Sequence, residues 1–183
     1  MIKRYILPPL VLTLICAAVS GLLALAYDAT YVDETGVLTD RLIKACDDAA
    51  GDRKYKLLLD DDGNPITFGY DEVSSVIVNE KKDICYIEVT EDGYSKDGLH
   101  FVVAVDIDGK VKGIGFVSCT ETPGLGSGVA ESEYLSKYQG KDGKSAVESV
   151  DNVTSATYSS KGLKKGINLA LEIFDENKGE IFK

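Results

Sequence analysis

The chain has 183 residues, 30 acidic against 20 basic for a formal net charge of −10, and 44% of it is hydrophobic. That length supports one well-cored domain with a small addition, and the acidic balance excludes partners held by counterion release, so nucleic acid is not an expected ligand. Four cysteines (Cys16, Cys46, Cys85, Cys119) without a Cys-x-x-Cys pair, and a single histidine, exclude the familiar zinc and iron–sulfur spacings, so no metal ligands are expected.

Residues 6–26 carry no charge, which matches the ~20 residues a helix needs to cross a bilayer. Lys3 and Arg4 precede the run, and the first charges after it are Asp28, Asp33 and Glu34. The positive-inside rule then puts the N-terminus in the cytoplasm and the remainder outside. Pro8-Pro9 is expected only to start the helix late. The alternative is a cleaved signal peptide ending at Ala24-Leu25-Ala26, but the apolar run exceeds the about 7–15 residues of a signal peptide's core. Either way the following domain lies on the same side.

Leu38, Leu42, Ile43, Cys46 and Ala49 recur at helical spacing behind Thr39 or Asp40 as N-cap, giving a stalk or first helix. The acidic run Asp60-Asp61-Asp62-Gly63-Asn64-Pro65 cannot be an EF-hand loop begun at Asp60, because Pro65 stands where that loop needs glycine. It is expected to be a solvated turn.

Four apolar stretches, 76–78, 84–89, 99–107 and 111–117, read as strands, separated by the turn formers Asp92-Gly93, Asp97-Gly98 and Asp108-Gly109. The clearest hairpin turns at Asp108-Gly109. Phe101, Val103, Val105 and Ile107 share one face, so an antiparallel sheet with one buried side is expected. His100, at the start of that strand, is expected to be an ordinary strand-edge residue. A Cys85–Cys119 bridge is conceivable, but buried thiols acting as small hydrophobes are the commoner state.

Beyond the sheet lies Glu121-Thr122-Pro123-Gly124-Leu125-Gly126, continued by Ser127-Gly128, a loop whose backbone can approach something flat or charged. Residues 129–138 suit a short helix. Leu163, Ile167, Ala170, Leu171 and Phe174 then define one face of a final helix starting near Ser159 or Ser160. Thr154, Ser155, Ala156, Thr157 and Tyr158 would stand just ahead of its N-terminus. Two accounts of that segment remain open: ordinary capping by a Ser/Thr-rich stretch, or an anion such as phosphate held by free N–H groups and the helix dipole.

The loop 121–126 and the stretch 151–160, Asp-Asn-Val-Thr-Ser-Ala-Thr-Tyr-Ser-Ser, together resemble the covalent-FMN domain of the G subunit of Rnf-type electron-transport complexes. The related C subunit of the sodium-translocating NADH:quinone oxidoreductase shares the pattern. The first motif matches Glu-Thr-Pro-Gly-Leu-Gly throughout; the second departs only at Ser155, where glycine is usual. The resemblance is close over residues 84–174 and loose elsewhere, and the short chain favours the Rnf type.

The resemblance implies that Thr157 carries FMN as a phosphoester, with Asp151, Thr154, Ser155 and Ala156 presenting its hydroxyl to a flavin transferase. Glu121 and Thr122 would shape the loop, and the backbone N–H groups of Gly124, Leu125, Gly126 and the two residues after them would face the flavin. Lys161 and Lys164 would help neutralise the phosphate. No catalytic residue and no independent turnover are expected.

The expected fold class is α+β: a transmembrane anchor (1–27), a stalk or N-terminal helix with a connecting segment (28–75), and an extracytoplasmic FMN-binding domain (76–183) with a largely antiparallel sheet and flanking helices. The implied partners are other membrane subunits of a ferredoxin:NAD-type ion-translocating complex, a flavin transferase during maturation, and membrane lipid. No Gly-x-Gly-x-x-Gly follows a strand, so the chain itself is not expected to hold a dinucleotide. The alternatives are a free-standing extracytoplasmic flavodomain and a cofactor-free membrane-anchored binding module.

Overall fold

The computed structural model describes residues 2–30, 37–51 and 54–183. They fall into two compact units, residues 1–34 and residues 35–183.

The first unit is one helix, α1 (Ile2–Thr30). Within it Leu7–Thr30 has a mean hydropathy of 2.3, long and apolar enough to cross a membrane. Within that stretch the large apolar side chains are exposed all around the helix. Contrary to expectation, the helix does not begin after Pro8-Pro9 but runs through both. Proline's fixed φ is helical; its penalty here is two missing donors near the start, with more than five turns of helix beyond them.

The second unit opens with α2 (Asp40–Ala50), capped by Thr39, whose side chain accepts from the Leu42 N–H at 3.2 Å, and ended by Gly51 at φ 72°. Five strands come next: β1 (Tyr55–Leu57), β2 (Val73–Asn79), β3 (Ile84–Glu91), β4 (Leu99–Asp106) and β5 (Val111–Cys119). They pair in chain order, each antiparallel to the next. The β4–β5 hairpin turns where expected, with Gly109 at φ 80° and the Asp106 carboxylate accepting the Asp108 and Lys110 N–H groups at 3.0 Å each. A 3-10 turn (Gly126–Ala130), α3 (Ser132–Ser136), α4 (Lys144–Glu148) and α5 (Thr157–Ile181) complete the unit.

The structure corrects the expected one-sided sheet, because both faces are buried. One carries Val76, Ile87, Phe101, Val103 and Val105 and packs beneath Leu163, Ile167, Ala170 and Phe174 of α5. The other carries Ile77, Tyr86, Val102 and Ala104 beneath Leu42, Ala45, Cys46 and Ala49 of α2. Small residues make the second contact possible: a β-carbon on Gly113 or Gly115 would collide with the backbone carbonyl of Ala49 or Ala45. The face hidden by α2 is therefore a close backbone approach, which hydrophobic alternation does not reveal.

β5 carries a bulge near each end. His100 pairs with Ser118 while Phe101 pairs with Phe116, so Val117 has no opposite number. Such an extra residue bends the strand and re-aims the residues beyond it; Cys119 comes to pack with the α5 side of the core. His100 lies on β4, which is flanked on both sides, and its Nε2 is 2.8 Å from Glu88 Oε1, while the Ser75 hydroxyl donates to Glu88 Oε2 at 2.5 Å. It sits at the strand's start, as expected, and its ring belongs to a partly buried polar cluster.

All four cysteines are free. Cys85 pairs with Val105 and Cys119 with Leu99, six residues apart along β4. At about 3.3 Å per residue that is roughly 20 Å, far beyond the about 7 Å limit for bridging. Burial drives the Cys85 thiol well up, and burial together with the charges of Glu88 and Asp47 pushes Cys46 up to about 12. Asp60 spends its carboxylate on the N–H groups of Asp62 (3.0 Å) and Asn64 (2.8 Å), which makes the acidic run a self-satisfied surface turn.

Candidate functional site

The site forms where three segments meet at one end of the sheet: the β3–β4 loop, the loop leaving β5, and the start of α5. Glu121 joins them. Its residue is 4% exposed, yet its carboxylate accepts the Tyr94 N–H at 3.1 Å, the Ser95 N–H at 2.9 Å and the Ser159 hydroxyl. Burial alone would raise this carboxyl; the Ser159 hydroxyl and the Ser95 and Tyr94 N–H groups outweigh it and hold the group below its usual range. Glu121 is thus a buried anion fully occupied in fixing the two loops and the helix. Gly126 is part of the same knot, since a β-carbon there would strike both Glu121 and Ser159.

The helix starts earlier than expected, at Thr157, with Ala156 as its N-cap and no side chain bonding the first-turn N–H groups. The hydroxyls of Ser159 and Ser160, near which the helix was expected to start, are committed elsewhere. Ser159 donates to Glu121, and Ser160 accepts the Val153 N–H at 3.0 Å. The capping account therefore fails, and the first-turn donors of a 25-residue helix lack the side-chain acceptors that such positions usually recruit. Thr157 itself is exposed, whereas Ser159 and Ser160 are buried.

Ser155, two residues before it, adopts φ 66°. That is the left-handed region, where glycine is at ease and serine is strained. The strained residue closes a turn in which the Ala156 N–H donates to the Val153 carbonyl at 3.0 Å, swinging the chain into α5.

A cleft of ≈ 350 Å³ lies over this junction, lined by Glu121, Thr122, Leu125, Gly126, Ser155, Ala156 and Thr157, and also by Tyr94, Tyr158 and Ser159. Its volume is at the low end of the about 300–1,000 Å³ typical of small-molecule sites. Leu125, 49% exposed, is a ridge shared with a second cleft that holds Gly124, Thr154 and Asp151 together with Glu131, Glu133 and Lys137. The residues expected at one site are thus split: seven face the first cleft, while Asp151, Thr154 and Gly124 face its neighbour.

Two expectations about charge are corrected, and the one about Lys161 is not tested. The N–H groups of Leu125 and Ser127 donate to the Thr122 carbonyl (3.1 and 3.2 Å), that of Gly124 to the Ser127 hydroxyl (3.0 Å) and that of Gly128 to the Leu125 carbonyl (3.1 Å). These four shape the loop and are not turned to a ligand. Lys164 is buried, its ammonium 3.3 Å from the Glu148 carbonyl. Lys161 is exposed and lines neither cleft. Tyr94, Tyr158 and Ser159 were missed in the sequence; an aromatic between Gly93 and Ser95 in a turn, with no core to enter, was the available signal for Tyr94.

Residues 93–172 match the family described as an FMN-binding domain. The match opens at the loop that delivers Tyr94 and runs into α5. The chain is also 31% identical over 99 residues to the G subunit of the proton-translocating ferredoxin:NAD(+) oxidoreductase complex of Clostridium ljungdahlii, a stretch covering 50% of this chain and 54% of the relative. The chain thus spans about half the length of the curated relative it matches, and the resemblance to the Rnf G subunit stands on both comparisons.

Proposed function

We propose that this chain is the electron-transfer flavoprotein subunit of a membrane-bound, ion-translocating oxidoreductase complex of the ferredoxin:NAD type, with FMN linked to Thr157 by a phosphoester. The observation that carries the assignment is the start of α5: an exposed threonine hydroxyl at the first helical position, first-turn donors without a side-chain cap, and an aromatic-rimmed cleft alongside, all within an FMN-binding segment.

The residues fit the group. The α5 N-terminus suits a phosphate through its free N–H groups and dipole, and Tyr94, Leu125 and Tyr158 offer apolar surface to a ring system. Bound flavin supplies one- and two-electron transfer, and the protein's part is to place it, shield it and tune it. Ser155, Ala156 and the turn from Val153 present the Thr157 hydroxyl outward, where a flavin transferase can reach it. Glu121 holds that presentation rigid. Asp151 and Thr154, on the neighbouring cleft, belong to the surface a transferase would read.

Leu7–Thr30 serves as a single membrane anchor in this proposal. Lys3 and Arg4 before it, with Asp28 in its last turn and Asp33 and Glu34 beyond it, put the N-terminus in the cytoplasm and the flavin outside. Other membrane subunits of the complex are the electron partners.

The test is a denaturing gel of the protein from its native host viewed under ultraviolet light. A fluorescent band at this chain's position is expected, and Thr157→Ala is expected to abolish it while the protein stays folded and membrane-bound. Fluorescence that survives Thr157→Ala overturns the assignment. Purification in mild detergent should bring polytopic subunits along; an isolated monodisperse chain overturns the complex in favour of a free flavodomain.

A further inference from the structure

We infer that Tyr94 and Tyr158 are the residues that hold the isoalloxazine ring, as an L-shaped aromatic clamp set by Glu121 against which the ring packs. The inference rests on FMN being borne by Thr157, and it goes further by assigning how this chain positions the ring.

Six large apolar side chains of residues 37–183 are strongly exposed: Val37, Leu59, Tyr94, Ile107, Leu125 and Tyr158. Scattered singly they would need no explanation. Three of them, Tyr94 at 77%, Tyr158 at 69% and Leu125 at 49%, rim the same cleft. The two tyrosine rings stand 6.4 Å apart with planes at 70°, edge to face upon each other with no room for a third ring between, and together they form an L-shaped wall of the cleft that both line. A flat conjugated ring packs against aromatic partners offset-stacked or edge to face.

Their backbones share one tether. Glu121 Oε2 accepts the N–H of Tyr94 itself, and it also receives the hydroxyl of Ser159, the residue after Tyr158. A single carboxylate therefore fixes the separation of the two aromatics, although they lie 64 positions apart in the chain. Thr157, beside Tyr158, lines the same cleft. A ring attached there is confined close to both tyrosines, which raises its effective concentration at the clamp. Glu121 is on this account a positioning residue that touches no flavin atom.

The experiment uses full-length protein carrying flavin, and compares flavin fluorescence of native and denatured samples with the visible circular dichroism of the flavin bands. Tyr94 is largely solvent-exposed and lies outside the acceptor stretch, so Tyr94→Leu is expected to fold and to be loaded as wild type. Loss of one stacking partner should shift the held-to-free ratio of the ring by about two- to tenfold, read as a rise in native fluorescence relative to the denatured sample and a matching fall in dichroism. Tyr158→Leu should do the same. Tyr94→Phe, which keeps the ring, should retain the dichroism, and Glu121→Gln, which loosens the tether, should give a smaller loss. An unchanged native-to-denatured ratio in Tyr94→Leu and Tyr158→Leu, with the denatured band intact, overturns the clamp alone. Absence of a covalent band in wild type overturns the FMN assignment beneath it.

Discussion

The Ser159 hydroxyl donates to the Glu121 carboxylate, joining the first turn of α5 to a residue 38 positions earlier in the chain. Because the same carboxylate also holds two N–H groups of the β3–β4 loop, one side chain keeps three segments in register. Glu121→Ala leaves a buried hydroxyl and two part-buried N–H groups without their charged acceptor, and is expected to cost about 2–4 kcal/mol in urea unfolding. Glu121→Gln retains the shape but not the charge and should cost less.

The same residue sets an acid limb. Its folded-state pKa lies below the usual value of about 4.3, so its stabilisation is present above that value and disappears as pH falls through the lower folded one. Glu91 works in the opposite sense. Burial raises its carboxyl more than Lys165, at 2.9 Å, lowers it; its ionised form is therefore unfavourable at neutral pH, and that burden lifts as pH falls through its raised value. Melting curves recorded down through this range should lose stability as Glu121 protonates, together with Asp60 and Glu72, which are also held low, and Glu121→Gln should remove the share due to Glu121.

Ser155→Gly should stabilise the protein. A left-handed backbone at a non-glycine residue costs roughly 1–2 kcal/mol, of which glycine's extra freedom in the unfolded chain returns part. A net gain of about 1 kcal/mol corresponds to a rise in Tm of about 2–4 °C at this size. Ser155→Val, branched at the β-carbon, should move Tm the other way.

Gly162→Ala tests the junction from the helix side. A β-carbon there would run into the backbone carbonyl of Asp92 and crowd Leu99. The α5 start and the β3–β4 loop would have to part, at about 1–3 kcal/mol, and the edge-to-face contact between Tyr94 and Tyr158 should loosen with them. Urea midpoints give the first effect, and near-ultraviolet dichroism of the tyrosines the second.

β3, β4 and β5 were legible because the Asp-Gly turns punctuate them, and α5 because five apolar residues keep its period, whereas the short β1 was not expected. The stretch 151–160 was legible as a motif. What could not be read was where Ser159 and Ser160 spend their hydroxyls: a Ser/Thr-rich stretch before a helix looks like a cap whether or not it caps, and only the proximity of Glu121 and Val153 decides. Lys164 shows the same limit, since helical spacing brought it near the phosphate in sequence while packing took it to Glu148. The second buried face of the sheet was hidden for a different reason. Gly113 and Gly115 register as gaps in a strand pattern, and their meaning lies in the carbonyls of Ala45 and Ala49 that occupy the space.

The meander order of the strands means that each finds its neighbour as soon as it is made, so loop closure is short at every step. The exception is the face that carries Phe101, Val103 and Val105, which stays bare until α5 arrives. Thr157 is the first residue of that helix. Its hydroxyl is consequently displayed at a formed helix start only on a chain whose sheet is already covered, so that any chemistry at Thr157 that depends on this display distinguishes finished molecules from unfinished ones.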